Sequence, residues 1–350
     1  MFTPHATSPD SASLGRLCAD LHARAPVTAE IGPWRSGAFD ALARGGALAG
    51  FVPVADGGTG ASEVAILDTL VAMASNCLTT ALALTQWAAG CRIIAGADDG
   101  VRAAWLPRLA AGSVTTTVGI AQLSTSRRHL GAPALAAETA DGRWRLTGLC
   151  PWVTGADSVA TIVTGAVRDD GTQTFFLVPT DSPGLAIAPP MHMLALSGSR
   201  TSSVTFAGVT PAAVIQPRAA GGPRTGGLAT TALALGSTRA ALAVLDGEAV
   251  ARSALAPVAE ALRAEADAIH ARLRRAADDG EPEDRDRLRA DANGLVIRAA
   301  QAALTATKGA GFVDGHPAER LVREAHFFLV WSCPQTVAGI ALCELSRIDV

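Results

Sequence analysis

The chain has 350 residues, 49% of them hydrophobic and 17% charged, so most of it is expected to fold around a sizeable core rather than stay disordered. A formal net charge of −3 argues against a general electrostatic grip on nucleic acid or acidic lipid. Cys18, Cys77, Cys91, Cys150, Cys333 and Cys343 form no C-x-x-C pair and no Cys/His group with zinc spacing, so no metal site is expected, and scattered thiols imply a reducing, cytoplasmic setting.

The first residues lack the basic-then-apolar pattern of a signal peptide, and no apolar run reaches the roughly 20 residues of a membrane span. Helical periodicity begins at Phe39, Leu42 and Leu48 and meets a breaker at Gly50-Phe51-Val52-Pro53, followed by Asp56-Gly57-Gly58-Thr59-Gly60. Val64, Leu67, Leu70, Val71 and Ala74 recur at three- and four-residue steps, as one buried helix face requires. Thr79 to Ile94 reads as a second apolar helix. Asp98-Asp99 reads as the cap of a third, from Val101 to Leu109, which Ala111-Gly112-Ser113 ends.

The pattern then changes. Val114–Ala121, Trp144–Leu146, Ala160–Val167, Thr174–Val178, Leu185–Ala188 and Val204–Phe206 are short β-branched or aromatic runs separated by turns such as Asp141-Gly142 and Asp169-Asp170-Gly171. Closely spaced strands with no helical pattern between them imply an antiparallel barrel or sandwich. After a Gly/Pro/Arg loop at 217–227, helical patterning returns. Leu228 to Leu245, broken by Gly236, Ser237, Thr238 and Arg239, reads as a buried helix of a soluble protein. The expected units are a helical 1–113, a β-rich 114–217 and a helical 218–350: an α+β chain.

Several segments, in this order, resemble the acyl-CoA dehydrogenase superfamily. Gly50-Phe51-Val52-Pro53 with Gly57-Gly58-Thr59-Gly60 is similar to its "GL-x-x-P…GG-x-G". Trp105-Leu106-Pro107-x-Leu109-Ala110-x-Gly112 is similar to "WLP-x-LA-x-G". Leu146-x-Gly148 with Trp152-Val153-Thr154-Gly155-Ala156 is similar to "L-x-G-x-K-x-W-I-[TS]-[NG]-[AG]". Phe176-Leu177-Val178 with Asp181-x-Pro183-Gly184, Ser199-Arg200-Thr201 with Val204-x-Phe206, and Gly309-x-Gly311-Phe312 with Pro317-x-Glu319-Arg320-x-x-Arg323-Glu324-Ala325 continue the match.

The resemblance implies an acyl-CoA dehydrogenase-like fold with an N-terminal α-helical domain, a middle antiparallel β-barrel and a C-terminal α-helical bundle. It implies FAD as cofactor, an acyl thioester as substrate, and a homodimer or homotetramer, or a heteromer. Trp152 would wall the flavin and Thr154 would donate near N5. Ala121, Gln122 and Ser124 stand where the family has its flavin loop, and Gly309 stands in the segment that contacts the cofactor. On the residues alone Trp152 also fits a strand core, Thr154 a strand turn, and Arg127, Arg128 and His129 a solvated loop.

Oxidising an acyl thioester needs a base against the α carbon. In the resembling family this is a Glu that follows an "RDA" segment. Here Val330-Trp331-Ser332-Cys333-Pro334 puts Ser332 there, and a serine hydroxyl is no base without a partner. The minority base position falls on Ala229, in a segment, 226–236, without an acid. His326 and Glu324 beside the altered segment, and Cys333 within it, are the replacement candidates. Three readings follow: an acyl-CoA dehydrogenase-type flavin oxidoreductase with a replaced base, a flavin-dependent monooxygenase that needs no such base, and a non-catalytic subunit of a heteromeric dehydrogenase.

Overall fold

The computed structural model describes residues 11–25, 39, 42–124, 133–215, 227–278, 284–331 and 333–348. Ser332, Arg127, Arg128 and His129 lie outside the described residues.

Helices lead: α1 (Ser11–Arg24), α2 (Ala47–Gly50), α3 (Glu63–Ala74), α4 (Leu78–Ala95) and α5 (Asp99–Ala110). The Asp98 cap forms, its Oδ1 accepting from the Val101 amide at 2.9 Å. The Gly-rich segment after Pro53 is a tight turn with a steric reason for its composition. A Cβ at Gly58 would lie 2.0 Å from the Val52 carbonyl oxygen. Buried Asp56 pins the turn to α5 by accepting from Arg102 Nη2 at 2.9 and 3.0 Å.

The strands are β1 (Thr116–Gly119), β2 (Leu135–Ala140), β3 (Arg143–Val153), β4 (Thr161–Arg168), β5 (Gln173–Pro179), β6 (Leu185–Ile187), β7 (Ser202–Val209) and β8 (Ala213–Ile215). They form one eight-stranded sheet ordered β6-β7-β3-β2-β4-β5-β8, with β1 also on β4. The expected antiparallel barrel is corrected on two counts. Among the described residues no pairing joins β6 to β8, so the sheet is not closed, and both β1 and β2 pair parallel with β4. Those two strands share one edge of β4, β1 along Thr161–Thr164 and β2 at Val167 and Arg168. β2 carries no sequence signal of its own: Leu-Ala-Ala-Glu-Thr-Ala has little β propensity, and its pairing with β3 across the Asp141-Gly142 turn makes it a strand. Ala121, read as the end of a strand run, instead opens a four-residue helical turn, α6 (Ala121–Ser124), which includes Gln122 and Ser124.

The chain ends in α7 (Leu228–Ala251), α8 (Ala256–Ala277), α9 (Arg285–Thr307), α10 (Pro317–Ala325) and α11 (Gln335–Ser346). α7 is long and apolar enough to cross a membrane, yet 67% of its apolar window is buried inside the molecule. It packs against α3, α8 and α9. It approaches α3 tightly at Gly236, where a Cβ would lie 2.5 Å from Ala74 Cβ and 2.5 Å from the Val71 carbonyl oxygen. One apolar core therefore joins both helical thirds, from Leu21 and Leu67 to Leu233 and Leu295. A second fills the sheet around Leu146, Ile162, Phe176 and Phe206. All six cysteines are free thiols.

Candidate functional site

β3 carries the decisive irregularity. Its side chains alternate until Cys150, which points into the sheet core, and Pro151 then supplies no amide for the ladder. The pairing with β7 shifts register there, Cys150 facing Val204 and Val153 facing Ser202, so three steps on β3 match two on β7. Such a bulge re-aims one side chain. Cys150 and Val153 are both fully buried, while Trp152 between them is 41% exposed.

The indole faces a cleft of about 370 Å³. Leu82 of α4 and Ala121 of α6 line its floor, with Thr201 and the loop Met193–Leu196 along one side. Arg323, His326, Phe327, Val330 and Trp331 complete the lining. The loop is braced from within: Ser197 Oγ accepts from the Met193 amide at 2.9 Å and donates to the Met193 carbonyl at 3.1 Å. Arg200 donates to both oxygens of Asp157, at 3.0 and 3.1 Å from Nε. Arg323 ties loop to helix, donating from Nη1 to the Leu194 carbonyl at 3.2 Å. Its pairing with Glu319 raises its pKa above the usual guanidinium range, so it stays charged.

The segment 327–331 hangs from α9. Buried Arg289 donates from Nη2 to the Trp331 carbonyl at 2.7 Å, and Asn293 from Nδ2 to the Phe328 carbonyl at 2.9 Å. Phe327 and Trp331 stack, with centroids 5.2 Å apart and planes 25° from parallel. A His–Phe–Phe–Leu 3-10 turn (His326–Leu329) continues α10 and presents this pair.

No family model matches the sequence, and no curated protein matches it. Solved structures do match, along the whole chain. Butyryl-CoA dehydrogenase from Megasphaera elsdenii has a TM-score of 0.81 at 16% identity, over 99% of this chain and 100% of that one. Glutaryl-coenzyme A dehydrogenase in complex with glutaryl-CoA has a TM-score of 0.78 at 16% identity, over 100% and 97%. KijD3 in complex with FMN and a dTDP-linked amino-keto sugar has a TM-score of 0.74 at 19% identity, over 100% and 96%.

The chain has the acyl-CoA dehydrogenase fold.

Within that fold the expected site residues separate. Trp152, Ala121 and His326 meet in the cleft. Thr154 does not: it is buried behind the wall, its Oγ1 3.3 Å from Thr201 Oγ1, which in turn lies 2.8 Å from Ser199 Oγ. Among the described residues that line the cleft, Thr201 is the one with a hydroxyl. Gln122 is consumed by the sheet. Its Nε2 donates to the Gly165 carbonyl at 2.8 Å and the Gly119 carbonyl at 3.1 Å, and its Oε1 accepts from the Cys150 thiol at 3.1 Å. Ser124 closes α6, the last described residue before 133.

Gly309 sits on an exposed turn, Lys308–Phe312, and is not among the residues that line the cleft. Glu324 is buried away from the cleft beside Arg320, 3.4 Å away, and burial pushes its carboxyl up against the pull of Arg320 and Arg323. Cys333 is half-buried, and burial raises its thiol pKa. Ala229, at the minority base position, is packed against the helical core. Leu194 to Leu196 and Phe327 carried no sequence signal for a site, because loop and aromatic patterns alone do not distinguish a cleft from a core, whereas Val330 and Trp331 belong to the segment that the resemblance aligned with the family's base.

An isoalloxazine needs a flat apolar wall with a few polar groups to orient it. The half-exposed Trp152 indole over an apolar floor, with Thr201 at its side, fits that ring.

Proposed function

We propose that the chain is a flavin-dependent oxidoreductase whose cofactor ring lies in this cleft against Trp152. The observation that carries the reading is the bulge at Pro151, which turns an indole out of a strand core into an open, aromatic-walled cleft. Trp152, Ala121 and Thr201 would hold the ring. Bound flavin would supply a two-electron acceptor or donor. Arg323 and Glu319 would keep the 193–196 loop against α10, and Phe327, Val330 and Trp331 would exclude water from the substrate side.

The cleft would take the isoalloxazine ring that FAD and FMN share. The acyl-thioester dehydrogenase reading draws on the two acyl-CoA dehydrogenase structures above. A flavin monooxygenase is the second reading, favoured by one observation: no carboxylate is among the described residues that line the cleft, so an α-proton base of the usual kind is missing there. The FMN-bound KijD3 structure shares the fold. We further assign a homo-oligomer, on the exposed Leu342, Leu345 and Ile348 at the end of the chain.

The test is direct. Purified protein is titrated with FMN and with FAD while flavin absorbance and tryptophan fluorescence are followed. Saturable binding of either supports the proposal, and binding of neither removes it. With flavin bound, labelled dioxygen separates the two readings: a monooxygenase incorporates the label into product, whereas a dehydrogenase turns over with an artificial electron acceptor and incorporates none.

A further inference from the structure

We infer that His326 is the proton acceptor of the cleft and that, with Arg323, it suits the cleft to a conjugated weak acid that becomes an anion as it loses its proton. The inference rests on the proposed function only in that this substrate would react beside the flavin ring.

His326 Nδ1 lies 2.7 Å from the Val322 carbonyl oxygen, one turn back on α10. A carbonyl only accepts, so the hydrogen of this bond is on Nδ1. The neutral ring then carries its basic lone pair on Nε2, at the far side of the imidazole. His326 lines the cleft and is half-buried, and among the described residues no hydrogen-bond partner meets Nε2. The rivals are excluded by place or chemistry. Glu324 is buried outside the cleft, Arg323 is a permanent cation paired with Glu319, and the other described lining side chains are apolar, indole or hydroxyl.

The surroundings select the product's charge. No carboxylate among the described lining residues would repel an anion, and Arg323, one turn before His326, lines the same cleft while paired with Glu319. The stacked Phe327 and Trp331 rings, which line the cleft, offer a flat aromatic surface that suits a conjugated substrate, of which a phenol is the simplest. The step balances without a co-reactant. The substrate O–H bond breaks, an Nε2–H bond forms, and the electron pair stays on the substrate oxygen. The imidazolium keeps its Nδ1–H on the Val322 carbonyl, so the ring need not turn to take the proton.

The probe is 4-nitrophenol, whose ionised form is coloured. It is added to the full-length protein, with and without FMN, at a pH below its own ionisation. Wild-type protein is expected to raise the phenolate absorbance, lowering the apparent ionisation midpoint by about one unit. His326→Gln should reduce the phenolate population about tenfold, in the flavin-free protein as well as with FMN, while melting at the wild-type temperature. No phenolate with wild-type protein, or an undiminished signal in H326Q, overturns the inference. Should H326Q fail to fold, nitrogen-15 NMR of wild-type histidines decides. The inference needs a cleft-facing ring protonated at Nδ1 that gains a second proton when the probe binds, and a ring protonated at Nε2 alone defeats it. Flavin titration of the same samples reports on the proposed function separately, since protein that ionises the probe but binds no flavin loses only the latter.

Discussion

Cys150 and Trp152 stand two positions apart on one strand and should have faced the same way. Pro151 breaks the ladder between them, and they end in opposite environments. For the indole, Trp152→Ala is expected to weaken flavin binding about tenfold, about 1.4 kcal/mol, with Trp152→Phe retaining most of the affinity, as measured by fluorescence titration. The thiol gives a pH signature. Burial pushes Cys150 up to about 12, while hydrogen bonds from the Trp152 backbone and Thr164 pull it down. An unfolded thiol ionises near pH 8.5, roughly. Between those values the unfolded state has lost a proton that the native state keeps, so stability falls as pH rises, at about 1.4 kcal/mol per unit from this residue. Urea unfolding at pH 8 and pH 10 checks this: Cys150→Ala should lose less stability over the interval than the wild type. A thiol titrating normally in the native state would give equal losses.

Among elements, α3 and α7 show why an apolar run can carry a glycine. Gly236 lies where the two helices nearly touch, and a methyl there meets Ala74 and the backbone of Val71. A glycine inside a helix costs about 1 kcal/mol relative to alanine, so Gly236→Ala ought to stabilise on propensity alone. The contact decides otherwise. Gly236→Ala is expected to destabilise by about 1–3 kcal/mol in thermal or denaturant unfolding, and a gain in stability would show that the helices can separate without loss. β2 makes the complementary point. Nothing in Leu135–Ala140 selects a strand, and only pairing with β3 and β4 does so. Thr154 and Thr201 differ in the same way. The motif pointed to Thr154, yet the turn after β3 puts it behind Thr201, and sequence spacing does not show which of two touching hydroxyls faces a cleft.

For the molecule as a whole, Leu342 and Leu345, each 65% exposed, and Ile348, 62% exposed, stand close together at the end of the chain. A dimer or tetramer that covers them is the expected state in solution by light scattering. Leu345→Asp should shift it toward smaller species at a given concentration with little loss of intrinsic stability, because an exposed side chain contributes little to its own subunit. A wild-type chain that is monomeric at micromolar concentration would contradict the assignment. The order helix, strand, helix was readable from residue types alone, because periodicities of 3.6 and 2, caps and turn glycines act over a few neighbouring positions. So was Trp152 as a candidate, through its Trp-Val-Thr-Gly context. The open sheet, the burial of Gln122 and Glu324, and the meeting of residues 121, 152, 201 and 326 were not. These depend on strand pairing and on how α9 and α10 carry one wall against the other, and contacts between residues a hundred or more positions apart leave no trace in local pattern.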